Sequence, residues 1–490
     1  MRSLPFLLSL LLLSGCGTSS GLKKQAPPRP VEATILAVND MHATLDHLPR
    51  LAFVADSLRG IYPDLLLVSA GDNQTGNPAN DNYEPKGFPM IDLMNDLGFA
   101  VSAVGNHEFD SDVKGFEFLS RKADFPFISA NVHKPEGSRL KLKPYVILTL
   151  KTGTKVGFVS LLDVSKETGL PASHPDKMKG FTFLPPLEHA LDYDAVADSA
   201  DIVLFLNHLG FEADKELADR LNARRYPLII GGHSHTLVPE GTVRNGIRIT
   251  QAKSNLKYAT LIRISKRAEG TYDIRTKNLP IDPKGSVDKN VTQKVQRYLD
   301  NPALLRVIGK LDAPLKNKEQ IGYLFTDALR DVSGADFALA NGGGVRIPSL
   351  PEGDIRVRDI YAADPFGNEG VVYDLTGRQI ADLLLRHWKG DGYKICFPSG
   401  FKIRYVTDGP AAEDDSPRIE LSDLQGKPLD PDRTYSVAMN NYLSTTFLSA
   451  DLPYKSLFMP TAEITIGYVS RLKEIPSYDS RKLVEVTAVE

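Results

Sequence analysis

The chain has 490 residues, of which 42% are hydrophobic and 24% charged, with 58 Lys and Arg against 61 Asp and Glu. These values exclude a disordered or fibrous protein, and two cysteines exclude a fold that depends on several disulfides. A net charge of −3 gives no basic excess for binding a nucleic acid duplex. At roughly 100–200 residues per domain, the length predicts two or three domains.

The first 31 residues have the features of an export signal followed by a tether. A basic start precedes an apolar run at residues 4–13, which is shorter than the about 20 residues that span a bilayer. The run ends in Leu-Ser-Gly-Cys16, which resembles the acylation site of bacterial lipoproteins; the alternative is an ordinary signal peptide with an incidental cysteine. We expect a signal peptide at residues 1–15, a tether at 16–31, and an extracytoplasmic protein anchored by lipid on Cys16 to a bacterial membrane, in the periplasm or at the cell surface.

The next part of the chain, residues 32–285, alternates buried strands with helices and predicts α/β architecture. The strand-like runs are residues 33–38, 64–70, 99–104, 201–206 and 226–230. Between the first two, one helix face carries Leu48, Leu51, Ala52, Ala55 and Leu58.

Polar side chains follow each of the five strands, where functional groups gather in α/β sheets. They are Asp40 and His42, Asp72, Asn106 with His107 and Asp110, His208, and His233 with His235. Singly each motif is weak, because a lone histidine at a strand end is more often structural. Together they form a mixed oxygen and nitrogen set that suits divalent metal ions, and the lack of cysteine in the set excludes a structural zinc cluster.

A helical connector is predicted at residues 286–311, interrupted at Pro302, and a smaller α+β domain at residues 312–490. That domain begins with a helix whose apolar face is Ile321, Leu324, Phe325, Ala328, Leu329 and Val332. Strand-like pieces and a further helix at residues 377–388 follow it.

The order D-x-H, G-D, G-N-H-E, H and G-H-x-H over residues 33–260 resembles the calcineurin-like metallophosphoesterases, and more narrowly the secreted metallophosphatase/5'-nucleotidase family. The resemblance implies a four-layer α-β-β-α sandwich that holds two divalent ions, with Zn, Mn, Fe, Co and Ni all suitable. It implies one ion held by Asp40, His42, Asp72 and His235, and a second held by Asp72, Asn106, His208 and His233. One departure is Ala43, where the family usually has glycine, which alters turn geometry and no ligand.

The same resemblance gives His107 the role of stabilising or protonating the leaving oxygen, with Asp110 orienting it. A histidine held by a carboxylate is an effective general acid near neutral pH. We expect the other histidines to be surface or packing residues: His47, His133, His174, His189 and His387.

A second resemblance, to the C-terminal 5'-nucleotidase domain, rests on Asn341-Gly-Gly-Gly-Val-Arg346 and on Pro-Phe366-Gly-Asn. It implies that Arg346 binds phosphate, Phe366 stacks on the base and Asn341 bonds a polar edge. Tyr442 keeps an aromatic residue for the other face of the base, but the family's Gly-Gly-Asp-Gly loop does not follow it. The family's Gly-Asn-Leu is here Gly-Tyr323-Leu, a second departure that bears on substrate identity.

These features predict an extracytoplasmic two-metal phosphohydrolase, foremost a 5'-nucleotidase. The alternatives with the same chemistry are a 2',3'-cyclic-nucleotide phosphodiesterase and a UDP-sugar pyrophosphatase. A distant member of the scaffold hydrolyses sulfur esters. The non-enzymatic alternative is a nucleotide-binding surface lipoprotein, against which the complete ligand set argues.

Overall fold

The computed structural model describes residues 33–267, 269–390, 392–408, 416–449 and 451–489. The predicted signal peptide, the tether and Cys16 lie outside these residues. Within the described ranges, no helix is long and apolar enough to cross a membrane.

The first half of the chain forms two large sheets and a small one. Its strands are β1 (Ala33–Val38), β2 (Leu66–Ser69), β3 (Phe99–Ala103), β4 (Phe127–Ile128), β5 (Val132–His133), β6 (Leu142–Lys143), β7 (Tyr145–Thr149), β8 (Lys155–Val159), β9 (Thr182–Phe183), β10 (Ile202–Leu206), β11 (Leu228–Ile230), β12 (Thr242–Arg244), β13 (Ile247–Thr250), β14 (Tyr258–Lys266) and β15 (Tyr272–Pro280). Its α-helices are α1 (Leu48–Arg59), α2 (Pro78–Asp81), α3 (Phe88–Leu97), α4 (Asp112–Lys122) and α5 (Phe211–Arg220). Its 3-10 helices are Leu45–His47, Asn106–Ser111, Pro175–Met178 and Asp194–Asp198.

The two large sheets have strand orders β15-β14-β1-β2-β3-β4-β6 and β12-β13-β11-β10-β8-β7, and β5 pairs with β9. The central strands run parallel: Ile35 of β1 pairs with Leu66 of β2, and Phe205 of β10 with Ile229 of β11. All five predicted strands and the first predicted helix are therefore present.

Alternating apolar residues explain the packing of the two sheets, because successive side chains of a strand point to opposite faces. Ile35 of the first sheet and Leu204 of the second belong to one buried cluster between the sheets. Leu36 instead packs with α1 and α3, and Phe205 packs with α5. The result is the predicted α-β-β-α sandwich.

The connector contains helices α6 (Lys289–Leu299) and α7 (Pro302–Leu305). The prediction that the connector is helical as far as residue 311 is wrong. Residues Val307–Leu311 form strand β16, which pairs with β18 (Gly353–Arg356) and with β25 (Glu474–Ile475). Long-range pairing with two strands stabilises the extended form, although the local pattern had favoured a helix.

The second domain is built around a five-stranded sheet of order β20-β17-β23-β19-β24 and a three-stranded sheet of order β22-β21-β26. Its other strands are β17 (Phe337–Asn341), β19 (Glu369–Thr376), β20 (Cys396–Ser399), β21 (Phe401–Asp408), β22 (Arg418–Asp423), β23 (Thr434–Asn440), β24 (Tyr454–Pro460) and β26 (Val484–Val489). Its helices are α8 (Lys318–Ser333), α9 (Val357–Ala363), α10 (Gly377–Gly390), α11 (Asn441–Phe447) and α12 (Thr461–Leu472), with a 3-10 turn at Gly342–Gly344.

Helix α10 covers one face of the five-stranded sheet, and α8 and α12 cover the other. This is the predicted α+β arrangement. The predicted apolar face of α8 is buried except for Val332, which is 48% exposed because it lies in the last turn.

Candidate functional site

The carboxyl ends of strands from both sheets meet at one end of the sandwich. The loops after β1, β2, β3, β10 and β11 lie in contact there, as when the Asp40 amide donates to the Gly71 carbonyl at 3.0 Å. Glycine permits this approach: a Cβ on Gly232 would lie 2.8 Å from the Ala70 carbonyl oxygen and 2.9 Å from His208 Nδ1. The local fold therefore brings five separate loops to one point.

The first cluster of potential metal ligands contains Asp40, His42 and His235. His42 Nδ1 lies 3.2 Å from the Thr75 carbonyl, which can only accept, so Nδ1 carries the proton and Nε2 has a free lone pair. That Nε2 atom is 3.0 Å from His235 Nε2, which is 3.3 Å from Asp40 Oδ1. A nitrogen and oxygen set of this kind fits a divalent cation.

The second cluster contains Asp72, His208 and His233. His208 Nδ1 donates to the Ala70 carbonyl at 2.8 Å, so its Nε2 is directed at Asp72 Oδ2, 3.1 Å away. The approach lacks hydrogen-bond alignment, and His208 Nε2 has no hydrogen-bonding partner among the described residues. A buried imidazole nitrogen that faces a carboxylate offers a place where a cation can bind.

Asn106 lies beside this second cluster. Its amide nitrogen donates to the Ala172 carbonyl at 3.0 Å, which turns its oxygen toward His233 Nδ1 at 3.1 Å. The structure thus brings all seven predicted ligand residues together.

The electrostatics of the clusters favour cation binding. Burial alone would raise the pKa of Asp72, but His208 and His107 hold the pKa of this carboxyl well below its usual value. Burial, with Arg346 nearby, holds the pKa of His42 well below its usual value, and burial lowers the pKa of His233. Neutral imidazoles and charged carboxylates are the protonation states that metal binding requires.

His208 differs from these imidazoles. Burial opposes its charging, but the Asp72 carboxylate raises the pKa of His208 to about 10. Because a metal ion binds only the neutral imidazole, metal binding at Nε2 must displace any proton held there.

His107 and Asp110 form a buried pair at the edge of the clusters. His107 Nδ1 lies 2.7 Å from Asp110 Oδ2, and Asp110 also accepts from Thr75 Oγ1 and Ser173 Oγ, each at 2.8 Å. Against the effect of burial, Asp72 and Asp110 raise the pKa of His107, while His107 lowers the pKa of Asp110. The remaining ring nitrogen, Nε2, is 3.9 Å from Asp72 Oδ2, so His107 can present a proton toward the clusters.

Residues of the second domain also lie beside His107. Arg346 Nη2 is 3.4 Å from His107 Nε2, and the Phe366 ring stacks on the His107 ring with centroids 5.8 Å apart and planes at 28°. The Arg346 guanidinium carbon lies 5.7 Å from the Phe366 ring centre. Asn341 is buried at the end of β17 and accepts from Asn440 Nδ2 at 2.9 Å.

A single cavity of about 640 Å³ joins the two domains. The predicted residues that line it are Asp72, Asn106, His107, Asp110, His233, His235, Asn341, Arg346, Phe366 and Tyr442. Asp40, His42 and His208 are buried beneath it.

The sequence analysis missed other residues of this cavity. Lys177, Lys318 and Tyr393 line it, and so does the buried His174, which was expected only to pack or to lie on the surface. A signal for Tyr393 was present, because Gly392 and Tyr393 follow α10 as a glycine-aromatic loop. No local signal marks the two lysines.

The three departures from the family pattern have different consequences. Ala43 adopts a left-handed φ of 47°, so it occupies a position where glycine is favoured. Tyr323 is fully buried in α8, where its hydroxyl accepts from the Leu483 amide at 2.9 Å, and it is absent from the described lining of the cavity. Tyr442 reaches the cavity from α11 without the glycine-aspartate loop.

Comparisons with known proteins agree with this geometry. Residues 33–237 match the family described as calcineurin-like phosphoesterase, and residues 307–447 match the 5'-nucleotidase C-terminal domain. The chain is 26% identical over 480 residues to protein UshA of Yersinia enterocolitica, covering 84% of this chain and 85% of that protein. It is 27% identical to a 5'-nucleotidase of Vibrio cholerae, covering 76% of this chain and 78% of that one.

A solved structure is also similar over nearly the whole chain. The crystal structure of a 5'-nucleotidase precursor from Thermus thermophilus superposes with a TM-score of 0.81 at 26% identity, covering 94% of this chain and 100% of that one.

Proposed function

We propose that this chain acts as a 5'-nucleotidase that releases phosphate and nucleoside from nucleoside monophosphates. The chain belongs to the metallophosphatase/5'-nucleotidase family and is a metal-dependent phosphoester hydrolase. The observation that supports this substrate most is the 3.4 Å approach of Arg346 to His107. It brings the Arg346 guanidinium of the second domain beside the candidate metal clusters of the first. A phosphoryl group bound at the clusters would therefore lie within reach of the guanidinium.

We assign two divalent ions to the clusters. Asp40, His42, Asp72 and His235 would hold one, and Asp72, Asn106, His208 and His233 would hold the other, with Asp72 shared. Zn, Mn or a similar ion suits this oxygen and nitrogen set. Such ions supply positive charge that neutralises the phosphoryl oxygens during in-line displacement.

The protein's own residues supply the remaining functions. His107 donates a proton from Nε2 to the departing ribose oxygen, and Asp110 holds the imidazole through Nδ1, 2.7 Å away. Arg346 binds the phosphoryl group with its planar fork of donors.

The nucleoside would lie on the second-domain side of the cavity. Phe366 and Tyr442 offer ring faces to the base, and Asn341 bonds a polar edge. Stacking on aromatic rings tolerates any base, so these contacts favour nucleotides as a class.

We also propose an extracytoplasmic protein held to a bacterial membrane by lipid on Cys16. The support is the sequence at residues 4–16. Replacing Cys16 by Ser should move the protein from the membrane fraction to the soluble fraction with unchanged specific activity. Mass spectra of the mature protein that show an unmodified Cys16 would refute the anchor.

A substrate panel tests the proposed reaction. With manganese added, the protein should release inorganic phosphate from AMP faster than it cleaves 2',3'-cyclic AMP or UDP-glucose. Faster cleavage of either of those substrates would instead identify the cyclic phosphodiesterase or the pyrophosphatase. Nucleotide binding without hydrolysis would identify a binding lipoprotein.

A further inference from the structure

Residues 172–177, which we call the bridging segment, lie between the two domains. The segment follows β8 in the first domain and runs into the 3-10 helix Pro175–Met178. Ala172, Ser173, His174 and Lys177 all line the cavity.

The start of the bridging segment contacts the first domain's chemistry. The Ala172 carbonyl accepts from Asn106 Nδ2 at 3.0 Å. Ser173 Oγ donates to Asp110 Oδ1 at 2.8 Å, and Ser173 is buried. These bonds fix the segment to the carboxylate that orients His107.

The end of the bridging segment contacts the second domain. Lys177 Nζ donates to the main-chain carbonyl of Phe366 at 2.8 Å. Phe366 is followed by Gly367, which has a left-handed φ of 66°. Among the described residues, no atom lies within 4 Å of the position that a Cβ of Gly367 would take, so the loop is not packed on that side. Within its own domain the loop is held by Asp364, whose buried carboxyl accepts from the Thr461 hydroxyl.

These contacts form a closed ring of contacting residues that starts and ends at His107. It runs from His107 to Asp110 and Ser173, then along the bridging segment to Lys177 and Phe366. The Phe366 ring completes it by stacking on His107 at 5.8 Å. Phe366 is therefore linked to the imidazole ring both by stacking and through the bridging segment.

We propose that Lys177 is a positioning residue: it sets the Phe366 loop against the His107–Asp110 pair, so that stacking of the nucleoside and protonation of the leaving oxygen are coupled. The inference rests on the proposed function, because it assumes that Phe366 stacks on the base. A substrate without a nucleoside has no base to stack on Phe366, so its hydrolysis does not depend on this coupling.

The variant Lys177→Met tests this role. We expect kcat/KM for AMP to fall about 10-fold or more, the usual effect of losing a hydrogen bond from a charged donor, with part of the loss in kcat. Hydrolysis of p-nitrophenyl phosphate should change less than about 2-fold, because it has no nucleoside for the loop to hold and its weakly basic nitrophenolate leaves with little help from a general acid. Lys177→Arg, which keeps a cationic donor, should retain most of the AMP activity.

A matched control is Lys179→Met, two residues along. Lys179 is an exposed residue whose ammonium pairs with Asp176 at 2.7 Å on the surface, so neither substrate should be affected. A double variant separates positioning from direct contact with substrate. If Lys177 acts through Phe366, then Lys177→Met should add little to the loss that Phe366→Ala causes.

Two results would overturn the inference alone, namely equal losses on both substrates in Lys177→Met or fully additive losses in the double variant. Wild-type protein that hydrolyses p-nitrophenyl phosphate but no nucleotide would overturn the proposed function, and this inference with it. The two failures are thus distinguished by the wild-type activity on AMP.

Discussion

At the scale of single residues, the proposed general acid His107 is paired with Asp110. Its hydrogen bond of 2.7 Å is buried, and two hydroxyl groups hold the carboxylate on its other sides. Against the effect of burial, Asp72 and then Asp110 raise the pKa of His107, which favours the protonated imidazole that a general acid needs.

We predict that His107→Ala lowers kcat by about 10²–10⁴, the usual contribution of a positioned general acid. The metal content should stay near the wild-type value, because the seven proposed ligands are unchanged. Steady-state kinetics and metal analysis of the purified variant test both statements.

His189 provides the control for this prediction. His189 Nδ1 lies 2.8 Å from Asp192 Oδ2, the same spacing of three residues, but on the protein surface. His189→Ala should therefore leave kcat unchanged. If His107→Ala loses metal, His107 belongs to the metal ligands and its catalytic role is wrong.

At the scale of elements, the loops after β2 and β3 are held together by Glu108. This buried carboxyl accepts from the amides of Asp72, Asn73 and Gly105 at 3.0, 2.9 and 2.7 Å. The sequence motif contains Glu108, but only the structure gives it this role. Asp72, the proposed shared ligand, is thereby fixed by a neighbouring loop.

Gly105 makes the close approach of these loops possible. A Cβ on Gly105 would lie 2.2 Å from Asp72 Oδ1 and 2.4 Å from the Asp72 amide nitrogen. We predict that Gly105→Ala displaces Asp72 and lowers both metal content and kcat/KM for AMP by at least about 10-fold, as loss of a positioned ligand does.

Gly467→Ala is the matched control for this substitution. Gly467 is exposed within α12 and has no atom within 4 Å of an added Cβ, so alanine should raise stability by up to about 1 kcal/mol and leave activity intact. Unchanged metal content in Gly105→Ala would show that the loop can relax, against our account.

Elements with a strong local pattern could be predicted from the sequence, whereas elements that depend on distant contacts could not. The run at residues 33–38 has buried apolar side chains on both faces, and it forms β1 as predicted. The run Val307–Leu311 belongs to the predicted helical connector but forms a strand, because it pairs with β18 and β25. Lys177 and Lys318 could not be predicted as cavity residues, because their place in the cavity arises only where the two domains meet.

At the scale of the whole molecule, the two domains contribute different groups to one cavity. The first domain supplies the candidate metal clusters and the second supplies Arg346 and the aromatic residues, and both line one cavity. We therefore expect substitutions of the second-domain aromatic residues to change nucleotide binding while the metal content stays at the wild-type value.

Phe366→Ala should therefore raise KM for nucleotides much more than KM for p-nitrophenyl phosphate. Wild-type kcat/KM should differ little among AMP, GMP, UMP and CMP, because every base has a face for stacking. Equal losses on both types of substrate, or a preference above about 100-fold for one base, would show that the pocket reads the base by other contacts.

The central claim is that a metal-dependent site shared by two domains hydrolyses nucleoside monophosphates. Its most direct test is phosphate release from AMP by wild-type protein and Asp72→Ala, each measured after chelation and again after manganese is restored. We predict that chelation abolishes wild-type activity and manganese recovers it, while Asp72→Ala stays inactive with reduced metal content. Full turnover by the chelated wild type, or near-normal turnover with two bound ions in Asp72→Ala, would contradict the account.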